Sequence, residues 1–336
     1  MNILVTGGAG FIGSNFVRYM LEVHSDDCIV NLDKLTYAGN RENLKDVEAN
    51  PRYRFVHGDI CDAALVKSLL TTTSFQAVVH FAAESHVDRS IEDASEFVRT
   101  NVLGTNVLLE ATKVLSLAKF AYISTDEVYG SLGAEGKFTE ESPLRPKSPY
   151  AASKAAGDMA ALAYHHTFGV PVVVVRSSNN YGPYQYPEKL IPLMIANAMS
   201  DKLLPVYGDG GNVRDWIHVL DNCSAIDTIL QKGAAGSVYN VGGRSEKKNL
   251  DVVRIILQKL GKPESLISFV KDRPGHDRRY ALDTSKIEKE LQWRPRFSFE
   301  EGIEQTITWY QQNKGWWQRI ISGEFKEYYK RMYEGR

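Results

Sequence analysis

What the chain lacks narrows it first. It has three cysteines, Cys28, Cys61 and Cys223, far apart and without a C-x-x-C pair, so neither a disulfide framework nor a zinc knuckle is indicated. A reducing, cytoplasmic setting is expected. Apolar runs are short; Pro171-Val172-Val173-Val174-Val175 is typical, far below the roughly 20 residues a bilayer span takes. No membrane partner is expected. The opening Met1-Asn2-Ile3-Leu4-Val5-Thr6 is apolar but has no basic leader and runs straight into glycines, which reads as a buried strand and turn and not as a secretion signal. Charge of either sign is scarce in blocks: 40 Lys+Arg face 41 Asp+Glu, a net of -1, so no nucleic-acid partner is expected. Eight histidines show neither HExxH nor another ligand spacing. No metal is expected, and His80 and His86 are read as structural. Internal repeats and low-complexity tracts are missing as well.

What is there is alternation. The 336 residues suggest two domains at about 150 residues each. In the first half, short β-rich runs at 2–6, 28–33, 53–57, 76–81, 119–125 and 171–176 alternate with helical stretches at 11–23, 62–72, 95–116 and 150–168. Each helical stretch is long enough for a crossover between parallel strands. The fold class expected is therefore α/β: a Rossmann-type doubly wound parallel sheet with helices on both faces. Past Arg176 the texture changes to Asn179-Asn180-Tyr181-Gly182-Pro183-Tyr184-Gln185-Tyr186-Pro187, rich in loop formers and aromatics, which marks an excursion from the sheet. A helix at 221–232 and a strand-like Val238-Tyr239-Asn240-Val241 then return to it. The expected division is a cofactor domain over 1–176 and 213–242, and a smaller, discontinuous α/β substrate domain over 177–212 and 243–336. An aromatic-packed helical end is expected from Trp309, Tyr310, Trp316, Trp317, Tyr328 and Tyr329.

Between the first strand and the first helix stands Gly7-Gly8-Ala9-Gly10-Phe11-Ile12-Gly13. Glycines there permit a tight turn, let backbone approach a pyrophosphate and let the helix sit close to the sheet; free N–H groups at the helix start then face the anion. An ordinary strand–helix turn could share the glycines, but not also Asp33, which ends the next strand at the offset where an acid takes the ribose hydroxyls. An acid also repels a 2′-phosphate, so NAD is expected over NADP. Lys34 and Thr36 border the same pocket, and Asp59-Ile60 is placed to meet the adenine. Phe81-Ala82-Ala83-Glu84-Ser85 closes the fourth strand with small residues, leaving room for a ligand at a carboxyl edge or simply for close helix packing.

Ser148-Pro149-Tyr150-Ala151-Ala152-Ser153-Lys154 opens a helix, with Ser148 as cap and Pro149 in its first turn. Tyr150 and Lys154 share a face. The lysine charge is expected to draw the phenol down from about 10, as a general base requires. Spacing alone proves little, because Tyr310 and Lys314 repeat it with no cofactor signal nearby. The fifth strand runs into Ser124-Thr125-Asp126-Glu127-Val128-Tyr129-Gly130. Two carboxyls beside a tyrosine–lysine pair can eliminate water next to a newly formed ketone, and strand alternation would point them in different directions if the strand persists that far. The plain alternative is a solvated acidic turn.

Together these residues resemble the extended short-chain dehydrogenase/reductases over essentially the whole chain. The glycine turn and Tyr150/Lys154 are shared with epimerases and decarboxylases. Thr125-Asp126-Glu127 is more specific and resembles the branch of 4,6-dehydratases that act on dTDP-glucose. Asn179-Asn180-Tyr181-Gly182-Pro183, Pro187-Glu188-Lys189-Leu190-Ile191-Pro192, Arg214-Asp215-Trp216 and Asp272-Arg273-Pro274-Gly275-His276-Asp277 agree. The resemblance implies that Tyr150 takes the 4-hydroxyl proton while hydride leaves C4, with Thr125 positioning that oxygen and Lys154 holding Tyr150 and the nicotinamide ribose. Glu127 then takes the C5 proton, Asp126 protonates the C6 hydroxyl, and hydride returns to C6, a step of deoxysugar biosynthesis such as that of dTDP-rhamnose. It further implies that NAD is lined by Phe11, Ile12, Asp33, Lys34, Leu35, Thr36, Asp59, Ile60, Ala82, Ala83, Ser85, Thr100 and Asn180. The nucleotide sugar would be held by Ser85, Asn179, Lys189, Leu190, Pro205, Val206, Tyr207, Arg214, Asn249, Arg273, His276 and Tyr333. The family implies a homodimer, with the stretches 95–116 and 150–168 able to pair across a two-fold axis. Two alternatives stay open: a nucleotide-sugar 4-epimerase, or a dehydratase for UDP- or CDP-glucose, within the enzyme class; and a non-catalytic NAD-binding module outside it.

Overall fold

The computed structural model describes residues 1–322. Its first half runs β1 (Asn2–Thr6), α1 (Phe11–Val23), β2 (Cys28–Asp33), β3 (Tyr53–His57), α2 (Ala63–Thr72), β4 (Ala77–His80), the short helices α3 (Val87–Glu92), α4 (Ser95–Val98) and α5 (Thr105–Thr112), β5 (Lys119–Thr125), α6 (Pro149–Phe168) and β6 (Val172–Ser177). The second half runs β7 (Asn179–Tyr181), α7 (Leu190–Met199), β8 (Leu204–Tyr207), β9 (Val213–His218), α8 (Val219–Lys232), β10 (Val238–Val241), β11 (Glu246–Lys248), α9 (Asn249–Leu260), β12 (Ile267–Val270), α10 (Ser285–Leu291), α11 (Phe299–Gln312) and α12 (Lys314–Ser322). Seven strands form one sheet in the order β10-β6-β5-β4-β1-β2-β3, and every pairing in it is parallel. This is the doubly wound architecture the alternation predicts.

Period-two side chains feed both faces of the sheet. Leu4, Val78, Phe120, Tyr122, Val172 and Val174 pack on one side with residues of α2, α5 and α6. Ile3, Val5, Val79, Ala121, Val173 and Val175 pack on the other, against α1 and α8. Burial on both faces is why these strands read as unbroken apolar runs. Strand order reverses beside β1, which pairs with β2 on one side and β4 on the other, and ligands of open α/β sheets bind in the crevice such a reversal opens.

One expectation needs correcting. The stretch 95–116 is not one helix: α4 passes into a π-helical turn over Arg99–Gly104 before α5, which ends at Thr112. Asn101 in that widened turn accepts from Glu84 N at 2.9 Å and donates to Glu84 O at 3.0 Å and Ser153 Oγ at 2.8 Å. The bulge trades regular helix for a brace between the β4 loop and α6. β9 pairs with β7 and β11 in a separate three-stranded sheet, and the chain returns to the large sheet through α8 and β10, as the helix at 221–232 and the strand-like 238–241 predict.

The second core gathers Tyr181, Leu193, Ile195, Trp216, Ile256, Ile303, Tyr310, Trp316 and Trp317 around β8–β12 and the three-stranded sheet. Tyr328, Tyr329 and Tyr333 lie outside the described residues. The duplicate Tyr310/Lys314 spacing is resolved by a break: α11 stops at Gln312, Asn313 caps it, and Lys314 starts α12. Tyr310 is fully buried and its hydroxyl donates to Gln185 O.

Candidate active site

The site is built on the carboxyl ends of β1, β2, β4 and β5, which wall a cavity of about 300 Å³. Gly7, at φ +72°, turns the chain out of β1, and a Cβ there would stand 2.5 Å from Ala82 N. Only glycine fits that crossing of the β1 and β4 loops. A Cβ at Gly13 would reach 2.3 Å from Gly7 O, so α1 can sit this close to the turn only with glycine at that position. Its N-cap, Gly10, supplies no side-chain hydrogen bond, which leaves the first N–H groups of α1 directed to the cavity that Phe11, Ile12 and Gly13 line. The buried Asp33 carboxylate accepts from Ala9 N at 2.9 Å and Leu35 N at 2.8 Å; burial pushes its pKa up, and these two bonds oppose the shift. Leu35, at φ +56°, does not line the cavity and instead packs against the core. Asp59 is flanked by Lys34 at 3.0 Å and Arg99 at 3.2 Å.

The cavity brings together Gly7, Gly10, Phe11, Ile12, Gly13, Asp33, Lys34, Thr36, Asp59, Ile60, Phe81, Ala82, Ala83, Ser85, Thr100, Tyr150, Lys154 and Asn180 on one stretch of wall, and Thr125, Asp126, Glu127, Asn179 and Lys189 beside them. A helix start without a capping side chain, a glycine crossing that would clash with any Cβ and an acid at the next strand end suit a dinucleotide with its diphosphate at α1.

The reactive wall forms where β5 stops. The strand does not persist into the acid pair: Asp126–Tyr129 is a 3-10 turn, capped by Thr125, whose Oγ1 accepts from Glu127 N at 3.3 Å and donates to Asp126 Oδ1 at 3.3 Å. Both acids still face one cavity, because the tight turn projects successive residues around its axis where a strand would send them to opposite faces. Opposite them stands α6. Ser148 Oγ accepts from Ala151 N at 3.1 Å, Pro149 opens the helix, and Tyr150 N donates to Ser90 Oγ at 3.1 Å.

Burial governs the charges here. Asp126 is held well above the usual carboxylate range by desolvation and then by the charge of Glu127. Glu127 is also raised by desolvation, but Arg273, Arg214 and Lys189 pull it down. Both carboxyls are thus biased toward the protonated form, Asp126 more strongly than Glu127, the unequal proton affinity an acid–base pair needs. The expected depression of Tyr150 does not occur: desolvation and the Glu127 charge raise its phenol, against a hydrogen bond from Thr125. Lys154 Nζ instead donates to Ile123 O at 2.6 Å and sits 4.4 Å from the Tyr122 ring centroid, and burial lowers its pKa to about 7. In the protein alone, desolvation is the largest influence on both groups.

Of the other predicted binding residues, Lys189 Nζ donates to Ser85 O at 2.9 Å. Tyr207 and Arg273 meet on Asp88, at 3.3 and 3.0 Å, with His276 ring-to-ring 6.1 Å from Tyr207. Arg214 donates to Asp277 O at 2.9 Å under the Tyr280 ring. Leu190 and Asn249 open α7 and α9, while Pro205 and Val206 lie in β8. Apart from Lys189, none of these nine is among the cavity-lining residues. Tyr333 is outside the described residues. Glu188 enters the sequence argument only within the Pro187–Pro192 segment, with no role of its own. In the structure it lines the cavity, its side chain is 1 % exposed, and Arg89 Nε and His86 Nε2 approach it at 3.5 and 3.9 Å. Burial pushes its carboxyl up to about 7, against Lys189 and Arg89. Among the described residues no three His, Cys, Asp or Glu side chains gather closely enough to hold a metal ion.

Residues 4–306 match the family model described as GDP-mannose 4,6 dehydratase. The chain is 54% identical over 342 residues to a dTDP-glucose 4,6-dehydratase of Xanthomonas campestris pv. campestris, covering 96% of this chain and 97% of that one. It superposes with TM-score 0.90 on the crystal structure of dTDP-glucose 4,6-dehydratase from Bacillus anthracis in complex with NAD, at 53% identity over 95% of this chain and 99% of that one. A UDP-glucuronic acid 4-epimerase from Bacillus cereus, solved with UDP-glucuronic acid and NAD, gives TM-score 0.87 at 32% identity, over 93% and 99% of the two chains.

Proposed function

The chain belongs to the GDP-mannose 4,6 dehydratase family of extended short-chain dehydrogenase/reductases, and on that premise we propose that it removes water from dTDP-glucose to give the 4-keto-6-deoxy sugar. It is an NAD-dependent hydro-lyase. The observation that carries this reading is the Asp126–Glu127 pair: two neighbouring carboxyls with unequal preference for their proton, in the cavity that Tyr150 and Lys154 also line. A 4-epimerase has the same fold and uses a tyrosine and a lysine, but it leaves an acid pair at C5 and C6 without work to do.

The residues divide the labour as follows. Thr125 orients the 4-hydroxyl and Tyr150 accepts its proton. NAD, when bound, supplies the hydride acceptor that makes C4 a carbonyl and the donor that later restores C6. With that carbonyl in place the C5–H bond is acidic, and Glu127, whose raised proton affinity Arg273, Arg214 and Lys189 oppose, takes the proton; C5 regains a proton when hydride returns to C6. Asp126, biased by burial toward its protonated form, passes its proton to the C6 hydroxyl, which departs as water. Lys154 holds Tyr150 and the cofactor ribose, and Arg214 and Arg273 suit a sugar diphosphate through their planar donor forks. Product identification with dTDP-, UDP- and CDP-glucose side by side tests the substrate. A 4-keto-6-deoxy product from the dTDP sugar at the highest kcat/KM is expected; preference for another base, or an intact epimerised hexose, contradicts the reading.

We also infer a cofactor domain and a discontinuous substrate domain, a cytoplasmic setting and a homodimer. Three free cysteines support the setting, and among the described residues no helix is long and apolar enough to cross a membrane. Val98, Leu103, Met159 and Phe168 support the dimer as large apolar side chains left exposed on neighbouring helical segments. Light scattering should give twice the chain mass, and Met159→Glu should lower it; a monomeric parent would reject the dimer.

A further inference from the structure

A buried network outside the cavity ties the two halves of the reactive wall together. Arg176, in β6, is 4 % exposed and grips Asp158 through Nε at 2.8 Å and Nη2 at 3.0 Å. Asp158 is fully buried on α6, one turn beyond Lys154 and two beyond Tyr150, so the three share a helix face. The other arm of the guanidinium, Nη1, donates to the Tyr129 hydroxyl at 2.8 Å. Tyr129 ends the 3-10 turn that carries Asp126 and Glu127. Its hydroxyl is engaged on both sides, because it also donates to Asn240 Oδ1 at 2.7 Å, and its ring stacks on Phe138 at 4.9 Å and 17°. The same guanidinium also reaches Glu140 O at 3.3 Å, and Asn240 N donates to Glu140 Oε1 at 2.9 Å.

This arrangement is more than a buried ion pair. Such a pair is weak evidence for stability, since well-packed apolar residues often serve as well. A planar fork with fixed donors is, however, a good gauge of relative position, and this one joins β6 to the two elements whose spacing decides whether a base and an acid meet the same sugar. Neighbouring Ser124 and Asn240 stand beside Arg176 in the sheet register, so the fork is anchored on rigid strands.

Resting on the dehydratase reading above, we propose that Arg176, with Asp158 and Tyr129, positions the acid pair against the tyrosine–lysine pair, its two arms serving the two chemical steps separately. The Asp158 arm holds α6 and so serves C4 oxidation. Its carboxylate also favours the charged form of Lys154. The Tyr129 arm holds the acid turn and so serves the elimination at C5 and C6.

Kinetic isotope effects on kcat with C4-deuterated and C5-deuterated dTDP-glucose read the two arms. Tyr129→Phe deletes one oxygen and leaves the ring stacked. It should lower kcat roughly two- to tenfold, the worth of one hydrogen bond, with KM within about twofold, and raise the C5 effect alone. Asp158→Asn should raise the C4 effect alone. A Tyr129→Phe protein whose C5 effect stays at the parent value, or whose C4 effect rises with it, overturns the proposal, and that variant decides the matter if Asp158→Asn does not fold. A parent protein that makes no 4-keto product instead overturns the dehydratase reading itself.

Discussion

Two tyrosines in this chain are each followed four residues later by a lysine, and they meet opposite fates. Tyr150 and Lys154 stand on one unbroken helix, opened by a serine cap and a proline, whose face borders the carboxyl edge of the large sheet. Tyr310 and Lys314 straddle a helix break at Asn313, so the tyrosine is sealed in the second core while the lysine starts a new helix, exposed. The same spacing is reactive chemistry in one place and packing in the other. What separates them is the continuity of the element and where the sheet puts it.

That contrast can be broken by substitution, beginning with the largest effect. Tyr150→Phe should lower turnover about 10³-fold or more, the usual worth of a positioned proton acceptor, with little change in melting temperature; steady-state kinetics checks it. Glu127→Gln should slow net dehydration about 10²-fold or more while C4 oxidation persists, seen as enzyme-bound reduced cofactor absorbing at the long-wavelength nicotinamide band after substrate is added. Lys154→Met should abolish product formation yet stabilise the protein. With a folded pKa of about 7 against about 10.4 unfolded, Lys154 leaves the unfolded chain holding more protons between those values. Parent stability therefore rises with pH across that window and, for this group, is level and lowest below it. Removing the buried amine should raise stability near neutrality by about 1–4 kcal/mol, measured by denaturant titration. Tyr310→Phe should cost about 1 kcal/mol for its lost hydrogen bond to Gln185 O and leave kcat unchanged. Lys314→Met should change neither stability nor rate beyond about 0.5 kcal/mol.

The large sheet was legible because its strands are buried on both faces and announce themselves as apolar runs between long amphipathic segments. The glycine turn was legible for a local reason as well, since the clash that excludes a Cβ at Gly7 and Gly13 is a matter of backbone sterics. The second region was opaque: β7, β9 and β11 are three to six residues long and carry Asn, Arg, Asp, Glu and Lys, so no periodicity marks them, and none was read as a strand. The π turn at Arg99–Gly104 depends on Asn101 meeting Glu84 and Ser153, contacts that sequence spacing does not encode. The charges were read only by type. Desolvation, which raises Tyr150 and lowers Lys154, depends on burial, and burial follows from tertiary packing. Glu188 was missed for the same reason.

The central claim is that one cavity both oxidises C4 and expels the C6 hydroxyl, with the removed hydride returned to the same sugar. Supplying dTDP-glucose deuterated at C4 and locating the label in the product tests it most directly. The account predicts deuterium at C6 of a 4-keto-6-deoxy sugar; deuterium retained at C4 of a hexose that still carries its 6-hydroxyl would contradict it.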